Sequence, residues 1–135
     1  MKKIVIDTDI LIDYANEFAP WLTDILEAKS STIRLVLPTI VIAEYFTSIT
    51  LEDEHEKRVA EETFLLFEKQ DLIEDIAKVL GRLLRRKTYF QGAGLADLII
   101  AATAIFLDAP LATRNRKHFA KIPDLRFFDP KKLQF

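Results

Sequence analysis

The stretch Ile4-Val-Ile-Asp-Thr-Asp-Ile-Leu-Ile-Asp13 decides the fold. It begins within a β-branched run over residues 3–6, which is typical of a buried strand. Thr8 or Asp9 is a suitable cap for a helix over residues 10–16, because both side chains accept hydrogen bonds from the first backbone N–H groups of a helix. The stretch therefore predicts a buried strand that leads directly into a helix, with an acid at the junction.

The same alternation of strands and helices continues along the chain. We expect further strands over residues 34–37, 110–113 and 126–128, and helices over residues 20–29, 39–49, 54–69, 76–89, 95–107 and 116–120. Strands that alternate with helices require crossover connections, and hence a parallel sheet covered on both faces. The prediction is a single α/β domain over residues 1–135, a three-layer α/β/α sandwich with a central parallel sheet.

Composition limits the chemistry that the chain can perform. There is no cysteine, which excludes a disulfide framework, thiolate zinc sites and a cysteine nucleophile. The two histidines, His55 and His118, are too few for a histidine-rich metal site. A bound metal would need oxygen ligands, and these favour hard ions such as Mg²⁺ or Mn²⁺.

Charge is distributed unevenly along the chain. The net charge of −2 argues weakly against nucleic-acid binding. However, residues 51–75 carry ten acids, whereas residues 76–96 carry five basic residues and no acid. Residues 111–135 carry seven basic residues against two acids. The two basic clusters are candidates for contact with a polyanion, although each is equally compatible with a solvated helix face.

No segment of the sequence has the character of a membrane anchor. The longest apolar stretch, residues 98–107, is interrupted by Thr103 and is much shorter than the roughly 20 residues that a membrane span needs. The N-terminal region becomes acidic at Asp7, which leaves no room for the apolar core of a signal peptide. We expect a cytoplasmic protein without a membrane partner.

Three acids occupy positions where an unpaired charge is costly. Asp7 follows the first predicted strand, at the edge where parallel sheets collect ligands, although it could simply cap the next helix. Glu44 and Asp97 stand in helices that are apolar on nearly every face and are therefore predicted to be buried. Each could pair with an arginine, and Asp97 could also be stabilised by the helix dipole. A divalent cation among the three would relieve their mutual repulsion at once.

A polar segment, Leu111-Ala-Thr-Arg-Asn-Arg-Lys-His-Phe119, follows another predicted strand and should open at the same edge of the sheet. Thr113 and Asn115 offer neutral oxygens that can bind a metal or orient water. An ordinary role for Asn115 as a helix cap is equally compatible with this segment. The basic side chains here are candidates for phosphate contact: Arg114, Arg116, Lys117 and His118.

Taken in order, these motifs resemble the PIN-domain family, especially its VapC-like branch. The matching pieces cover the whole chain: residues 4–13, Glu44 in its apolar helix, Gly94-Leu-Ala-Asp-Leu-Ile-Ile-Ala-Ala-Thr103, and residues 111–119. The resemblance implies that Asp7, Glu44 and Asp97 form an acidic, metal-binding triad. Asn115 falls where many relatives carry a fourth acid, and Asp9 where Asn or Ser is frequent, so the number of bound ions stays open.

The resemblance also implies an activity and partners. The expected reaction is endonucleolytic hydrolysis of RNA with Mg²⁺ or Mn²⁺ as cofactor, leaving a 5′ phosphate and a 3′ hydroxyl. VapC-like toxins usually form homodimers and are silenced by a VapB-like antitoxin whose C-terminal segment occupies the active groove. The residues expected to contact the RNA backbone are Arg82, Arg85, Arg86, Lys87, Arg114, Arg116, Lys117 and His118.

Two other functions stay open at this point. Asp7-Thr-Asp9 resembles the nucleophile and acid pair of haloacid-dehalogenase-like phosphatases, but the threonine that usually follows is missing from Ile10-Leu-Ile-Asp13. That class would also leave Glu44 and Asp97 without a role. A degenerate PIN domain that only binds RNA or protein is the second alternative, and the presence of all three triad acids argues against it.

Overall fold

The computed structural model describes residues 2–28, 32–48, 53–86 and 92–133. Within these ranges, four strands form one sheet in the order β3-β2-β1-β4, and each pairing between neighbours is parallel. The strands are β1 Lys2–Ile6, β2 Ile33–Pro38, β3 Glu68–Gln70 and β4 Leu111–Ala112.

Helices connect the strands and flank the sheet, so the predicted three-layer α/β/α sandwich is confirmed. In the described part of the chain, no helix is both long and apolar enough to cross a bilayer. The helices are α1 Thr8–Ala15, α2 Pro20–Ala28, α3 Thr39–Ser48, α4 Glu54–Phe64, α5 Glu74–Leu84, α6 Leu95–Phe106 and α7 Arg116–Phe119, followed by a 3-10 turn at Pro130–Lys132.

Strand β1 lies at the centre of the core. Ile4, Val5 and Ile6 are completely buried. A parallel strand covered on both faces needs continuous apolar side chains rather than an alternating pattern. β1 pairs with both of its neighbours, with Ile4 opposite Leu35 and Val5 opposite Leu111. The run that opens the sequence therefore forms the middle of the sheet, as predicted.

The carboxyl ends of β1 and β4 lie side by side. The backbone N–H of Asp7 donates to the carbonyl of Ala112 across a distance of 3.0 Å. Because the two strands run in the same direction, the residues that follow them emerge at one edge of the sheet. Asp7 and Thr113 are therefore neighbours although 106 positions separate them in the chain.

The segment predicted as one helix over residues 54–69 is divided in the structure. Helix α4 ends at Phe64, and Glu68–Gln70 pairs with β2 as a short edge strand. The turn between them buries Phe67, which is 6% exposed. The helix prediction is wrong beyond Phe64, because a tertiary contact and the hydrogen-bond groups of an existing strand override the helical preference of a polar segment.

Two other predicted elements differ in extent. The strand predicted over residues 126–128 forms only a single parallel bridge, in which two backbone hydrogen bonds of 2.9 Å connect the segment around Phe127 to Leu111. Helix α5 begins at Glu74 rather than at residue 76 and ends at Leu84. The end predicted for this helix, at residues 87–89, lies outside the described residues.

Gly81 in the interior of α5 should limit the stability of the protein. A Cβ atom at this position would meet no atom within 4 Å, and glycine costs a helix about 0.5–1 kcal/mol relative to alanine. We expect Gly81→Ala to raise the free energy of unfolding in urea by about 0.5–1 kcal/mol. Gly92 is the matched control, because its φ of +93° disfavours any side chain. Gly92→Ala should lower stability, and a gain in both variants would contradict this explanation.

Candidate active site

Asp7 stands at the junction of β1 and α1 and is only 5% exposed. Its Oδ1 atom accepts from the backbone N–H of Thr8, and its Oδ2 atom accepts from the hydroxyl of Thr113, both at 2.7 Å. Asp7 itself caps α1, so the prediction that Thr8 or Asp9 would do so is wrong. The extended backbone of Asp7 (φ −80°, ψ 162°) gives it the conformation of a cap residue.

Burial raises the pKa of Asp7 from its usual value of 3.8 to about 6. Hydrogen bonds from Thr113 and Thr8 oppose this rise in pKa because they favour the ionised form, whereas the negative charges of Asp9 and Asp97 add to it. Among the described residues, no lysine or arginine forms an ion pair with Asp7. When ionised, Asp7 is therefore a buried charge without a cationic partner.

Asp9 lies beside Asp7 in the first turn of α1. Its Oδ2 atom accepts from the backbone N–H of Arg114 at 2.9 Å. Its Oδ1 atom is buried and finds no hydrogen-bond partner within the described ranges. Burial raises the pKa of Asp9 as well, although the hydrogen bond from Arg114 opposes the rise. The backbone N–H of Ile10 also lowers the pKa of Asp9, yet Oδ1 has room for a polar or cationic ligand.

Glu44 is linked to Asp7 through Thr8. The hydroxyl of Thr8 donates to Glu44 Oε1 at 2.7 Å, while the N–H of the same residue donates to Asp7. Helix α3 was predicted to be buried on every side, and this is wrong. Within it only Val41 and Tyr45 are fully buried, and Glu44 is half-buried. One side of α3 packs against α1 and α6, whereas Ala43 and Thr47 are exposed.

Asp97 lies in the first turn of α6. Its Oδ2 atom accepts from the backbone N–H of Gly94 at 3.2 Å, which agrees with the alternative role of an acid at a helix N-terminus. The side chain of Asp97 is 24% exposed, and Nδ1 of His118 lies 3.9 Å from its Oδ2 atom. Because the charge of Asp97 acts on Asp7, the two carboxylates lie within electrostatic reach of each other.

The acids lie near one another without forming a ready metal site. In the part of the chain that the structure describes, no group of three or more carboxylate or imidazole side chains is arranged to hold a metal ion. Glu44 and Asp97 are each held by a hydrogen bond within the chain. The uncompensated charge of Asp7 and the unpaired oxygen of Asp9 nevertheless fit the donor set of a hard divalent cation. The hydrogen bond of Glu44 and that of Asp97 each engage one oxygen, so both residues can bind an ion without giving it up.

The segment after β4 supplies neutral groups to the site. The hydroxyl of Thr113 donates to Asp7, and its oxygen accepts from the backbone N–H of Asn115 at 3.0 Å. Asn115 occupies the N-cap position of α7, but its side chain makes no capping hydrogen bond. The ordinary capping role considered for Asn115 is therefore not used, and Asn115 is exposed.

Two of the basic candidates are already engaged within the chain. Arg114 donates from Nε and Nη2 to the carboxylate of Asp13 at 2.6 and 3.1 Å, and this contact raises the pKa of its guanidinium. The guanidinium of Arg116 lies 5.3 Å from the ring centre of Phe127 and donates to the carbonyl of Phe128 at 3.2 Å. Both arginines therefore have fewer N–H groups left for a ligand.

The basic residues of the α5 region lie at a distance from the acids. Arg82, Arg85 and Arg86 line a cavity of about 540 Å³ that Ile105 also lines. Ile105 is two turns beyond Asp97 on α6, which corresponds to about 12 Å along the helix. The cavity is therefore at the end of α6 that points away from the acids. Of the other candidates, Lys117 and His118 are exposed on α7, and Lys87 lies outside the described residues.

Two contacts of the site were not predicted. Thr8 was considered only as a helix cap, yet its hydroxyl holds Glu44. Asp13 was given no role, yet it binds the guanidinium of Arg114. Asp9 and Asp13 are four residues apart on α1, and this spacing places both on one helix face. That spacing was the available signal for a second acidic contact.

The fold and the site together define a class of protein, a parallel α/β protein with a cluster of carboxylates at the carboxyl edge of its sheet. The profile of the family described as PIN domain matches residues 4–125. The chain therefore belongs to the PIN domain family.

Individual relatives agree with this assignment. Over 54 residues, the chain is 50% identical to Ribonuclease VapC19 of Mycobacterium tuberculosis, a match that covers 39% of this chain and 43% of that relative, less than half of its length. It is 29% identical over 132 residues to Ribonuclease VapC1 of Methanocaldococcus jannaschii, covering 95% and 88% of the two chains. A chain in the crystal structure of VapBC2 from Rickettsia felis, bound to a DNA fragment from their promoter, matches with a TM-score of 0.81 and 25% identity over 93% of this chain and 97% of that one.

Removal of the Asp7 charge should stabilise the protein at neutral pH. A carboxyl with a folded pKa of about 6 and an unfolded pKa near 3.8 binds its proton more tightly when folded. Protonation of this carboxyl therefore stabilises the folded protein fully at pH values below the unfolded pKa. This stabilisation is lost as the pH rises through about 6. This difference in pKa corresponds to about 3 kcal/mol. Asparagine also caps helices, so Asp7→Asn should unfold at pH 8 in EDTA with a free energy up to about 3 kcal/mol larger.

Urea denaturation at pH 8 and at pH 4 measures this effect. Asp24→Asn, at an exposed position on α2, serves as the control and should change stability little at either pH. A gain from Asp7→Asn that is as large at pH 4 as at pH 8 would show that the buried charge is not its cause.

Proposed function

We propose that the chain is a divalent-metal-dependent endoribonuclease that hydrolyses RNA phosphodiester bonds and acts as the toxin of a toxin–antitoxin pair. Membership of the PIN domain family supports this proposal, and so do two relatives that are themselves named ribonucleases. The similarity to a chain in the VapBC2 structure supports the toxin–antitoxin part. These relations give no support to the phosphatase alternative.

The observation that carries the proposal is the buried carboxylate of Asp7, which has a raised pKa and, among the described residues, no lysine or arginine in an ion pair. A divalent cation bound beside it would remove the cost of that charge. We assign Asp7, Glu44 and Asp97 as the metal ligands and place Asp9 and Thr113 in support. Asn115 is the further catalytic candidate. A donor set made only of oxygen atoms favours Mg²⁺ or Mn²⁺.

The reaction adds water across the bond between phosphorus and the leaving 3′ oxygen, which takes up a proton. The bound cation would activate the water and neutralise negative charge on the phosphate. The chain itself supplies orientation. Thr8 and Thr113 each hold one oxygen of Asp7, so that the carboxylate cannot rotate freely. Asn115 is exposed and follows Thr113 by two residues, and we assign its amide the role of orienting the water or the phosphate.

Basic residues are proposed to bind the RNA backbone. The cavity lined by Arg82, Arg85 and Arg86 offers three guanidinium groups, which suit phosphate because each presents several N–H donors in one plane. Since this cavity lies about 12 Å along α6 from Asp97, RNA that contacts both must extend across several nucleotides. Lys87, Lys117 and His118 are further candidates, whereas Arg114 and Arg116 are less available because they hold partners within the chain.

We further propose a VapB-like antitoxin as the protein partner and a homodimer as the assembly. The VapBC2 structure supports the antitoxin, since the similar chain there occurs in a VapBC complex. The homodimer rests on the resemblance to VapC-like proteins alone. We also propose that residues 1–135 form one domain that acts in the cytoplasm, where its RNA substrate would be met.

The proposed function is tested by RNA cleavage with and without divalent metal. Wild-type protein should cleave a structured RNA with Mg²⁺ or Mn²⁺ and not with EDTA. Asp7→Asn and Asp97→Asn should each lower the rate by at least about 100-fold, because each removes charge that holds the cation. Asp24→Asn, purified in the same way, should cleave at the wild-type rate.

Three outcomes would contradict this assignment, each in a different way. Cleavage that persists in both variants would identify a contaminating nuclease. Cleavage that persists in EDTA would exclude the metal. A wild-type protein that binds RNA but never cleaves it would be an inactive PIN domain, the remaining alternative.

Charge reversal at Arg85 and Arg86 should weaken RNA binding and reduce its dependence on salt. Each lost phosphate contact lowers the slope of log K against log salt by about 0.7–0.9, so the double variant should have a slope shallower by roughly 1.5. Fluorescence anisotropy between 50 and 200 mM salt measures the slope. The matched control reverses Lys57 and Arg58 on the acid-rich α4 and should leave the slope unchanged. Equal slopes in both double variants would exclude the cavity as an RNA site.

A further inference from the structure

Asp13 and Arg114 form a two-point contact. It lies outside the acidic cluster, which consists of Asp7, Asp9, Glu44 and Asp97. The Nε atom of Arg114 lies 2.6 Å from Asp13 Oδ2, and its Nη2 atom lies 3.1 Å from Asp13 Oδ1. The Asp13 side chain is only 15% exposed, whereas that of Arg114 is 62% exposed. A paired contact of this kind fixes the plane and direction of the guanidinium as well as its position.

Helix α1 holds Arg114 by its backbone as well as by its side chain. Asp9 and Asp13 are four residues apart and therefore occupy the same face of α1. Asp13 binds the guanidinium, while Asp9 Oδ2 accepts from the backbone N–H of Arg114 at 2.9 Å. One residue of the segment after β4 is thus fixed at two points that lie one helical turn apart.

Arg114 stands in the chain between Thr113 and Asn115, whose backbone N–H contacts the Thr113 hydroxyl. Thr113 is the preceding residue, and its hydroxyl donates to Asp7 Oδ2 at 2.7 Å. The backbone N–H of Asn115, on the other side of Arg114, donates to that hydroxyl oxygen at 3.0 Å. A donor directed at the oxygen leaves the hydroxyl proton available for Asp7. If Arg114 moved, both neighbours would move with it.

We propose that Asp13 is a positioning residue of the nuclease site, which acts through Arg114 to hold Thr113 against Asp7. Among the described residues, the hydrogen bonds to its carboxylate come from Arg114 and not from the residues that contact Asp7. The description of the site as a nuclease site rests on the proposed function. The fixing of residues 113–115 by Asp13 does not, and it can be measured in protein without activity. This role differs from direct phosphate binding by Arg114, since it predicts a loss of turnover rather than of substrate affinity.

A second arginine–aspartate pair, at the surface, provides a comparison. Arg126 Nη2 lies 3.0 Å from Asp108 Oδ1, and the Arg126 side chain is 59% exposed, close to the value for Arg114, whereas the Asp108 side chain is 94% exposed against 15% for Asp13. That pair involves none of the residues of the acidic cluster. Asparagine tolerates the positive φ of Asp108 (50°), so Asp108→Asn is a fair counterpart of Asp13→Asn.

The first measurement is amide hydrogen exchange by NMR on metal-free protein. Asp13→Asn should speed exchange at the backbone N–H groups of Arg114 and Asn115 by about 10-fold or more, because those donors lose their fixed geometry. Asp108→Asn should leave both amides unchanged. Unaltered exchange in Asp13→Asn would overturn the proposal, whether or not the protein cleaves RNA.

The second measurement separates kcat from KM for RNA cleavage. Asp13→Asn and Arg114→Gln should each lower kcat by roughly 10- to 100-fold, the usual effect of losing a partner that orients a metal ligand, with KM nearly unchanged. The double variant should be no slower than the slower single variant, since both act through one contact. Arg114→Lys should not restore kcat, because lysine keeps the charge but lacks the planar guanidinium that donates two parallel hydrogen bonds. Asp108→Asn and Arg126→Gln should match the wild type.

The outcomes distinguish this inference from the proposed function. An increase in KM with kcat unchanged would show that Arg114 binds the substrate directly and would overturn the positioning role. Multiplicative losses in the double variant would overturn the single shared contact. Absence of cleavage by wild-type protein would refute the proposed function alone, and the exchange rates would still decide whether Asp13 holds the segment.

Discussion

The cost of a buried carboxylate at the end of the central strand governs the arrangement of this protein. Asp7 directly follows three completely buried residues of β1, so its side chain emerges where water is excluded. Hydrogen bonds from Thr8 and Thr113 reduce the cost of the charge but do not cancel it, as the raised pKa shows. A neutral residue that keeps these hydrogen bonds, such as asparagine, would stabilise the folded state more at neutral pH. A charge kept at such a cost is typical of a functional site, where a ligand provides the missing stabilisation.

Every neighbouring contact is consistent with that constraint. Thr8 donates to Asp7 from its backbone N–H and to Glu44 from its hydroxyl, so one residue forms hydrogen bonds with two acids. Thr113 holds the other oxygen of Asp7 from the next strand. The local negative charges of Asp9 and Asp97 raise the cost further, and among the described residues no arginine or lysine forms an ion pair with Asp7. Among the described residues the charge of Asp7 therefore lacks a cationic counterpart, and this is what supports the proposed cation.

The parts of the site that follow from strand direction were predictable. Parallel strands end at one edge, which brings Asp7 and Thr113 together whatever the length of chain between them. The apolar surroundings of Glu44 and Asp97 predicted that both are buried, and the structure leaves both only half-buried. A helix that is apolar all round is fully buried only if the same chain covers all of its faces, and α3 is covered on one face. The hydropathy of a helix cannot specify whether its partner belongs to the same chain.

Other features depend on contacts that a linear pattern does not contain. Strand β3 is three residues long and polar, so it has neither the length nor the alternation by which strands are recognised. The contact between Asp13 and Arg114 joins residues 101 positions apart. The arginines of the α5 region are close to Asp97 in the sequence. The cavity that they line nevertheless lies at the end of α6 that is opposite to Asp97. Sequence proximity was a poor guide to spatial proximity in that case.

The two margins of the sheet also limit how the protein can associate with other chains. One margin is β3, whose Glu68 and Lys69 are exposed, and Glu68 lies 3.8 Å from Arg34 of the neighbouring strand. The opposite margin is reduced to one bridge at Phe127. Both margins discourage the addition of a strand from another chain, because one is short and charged and the other offers few backbone groups for pairing. Addition of such strands is a common route to amyloid-like aggregation.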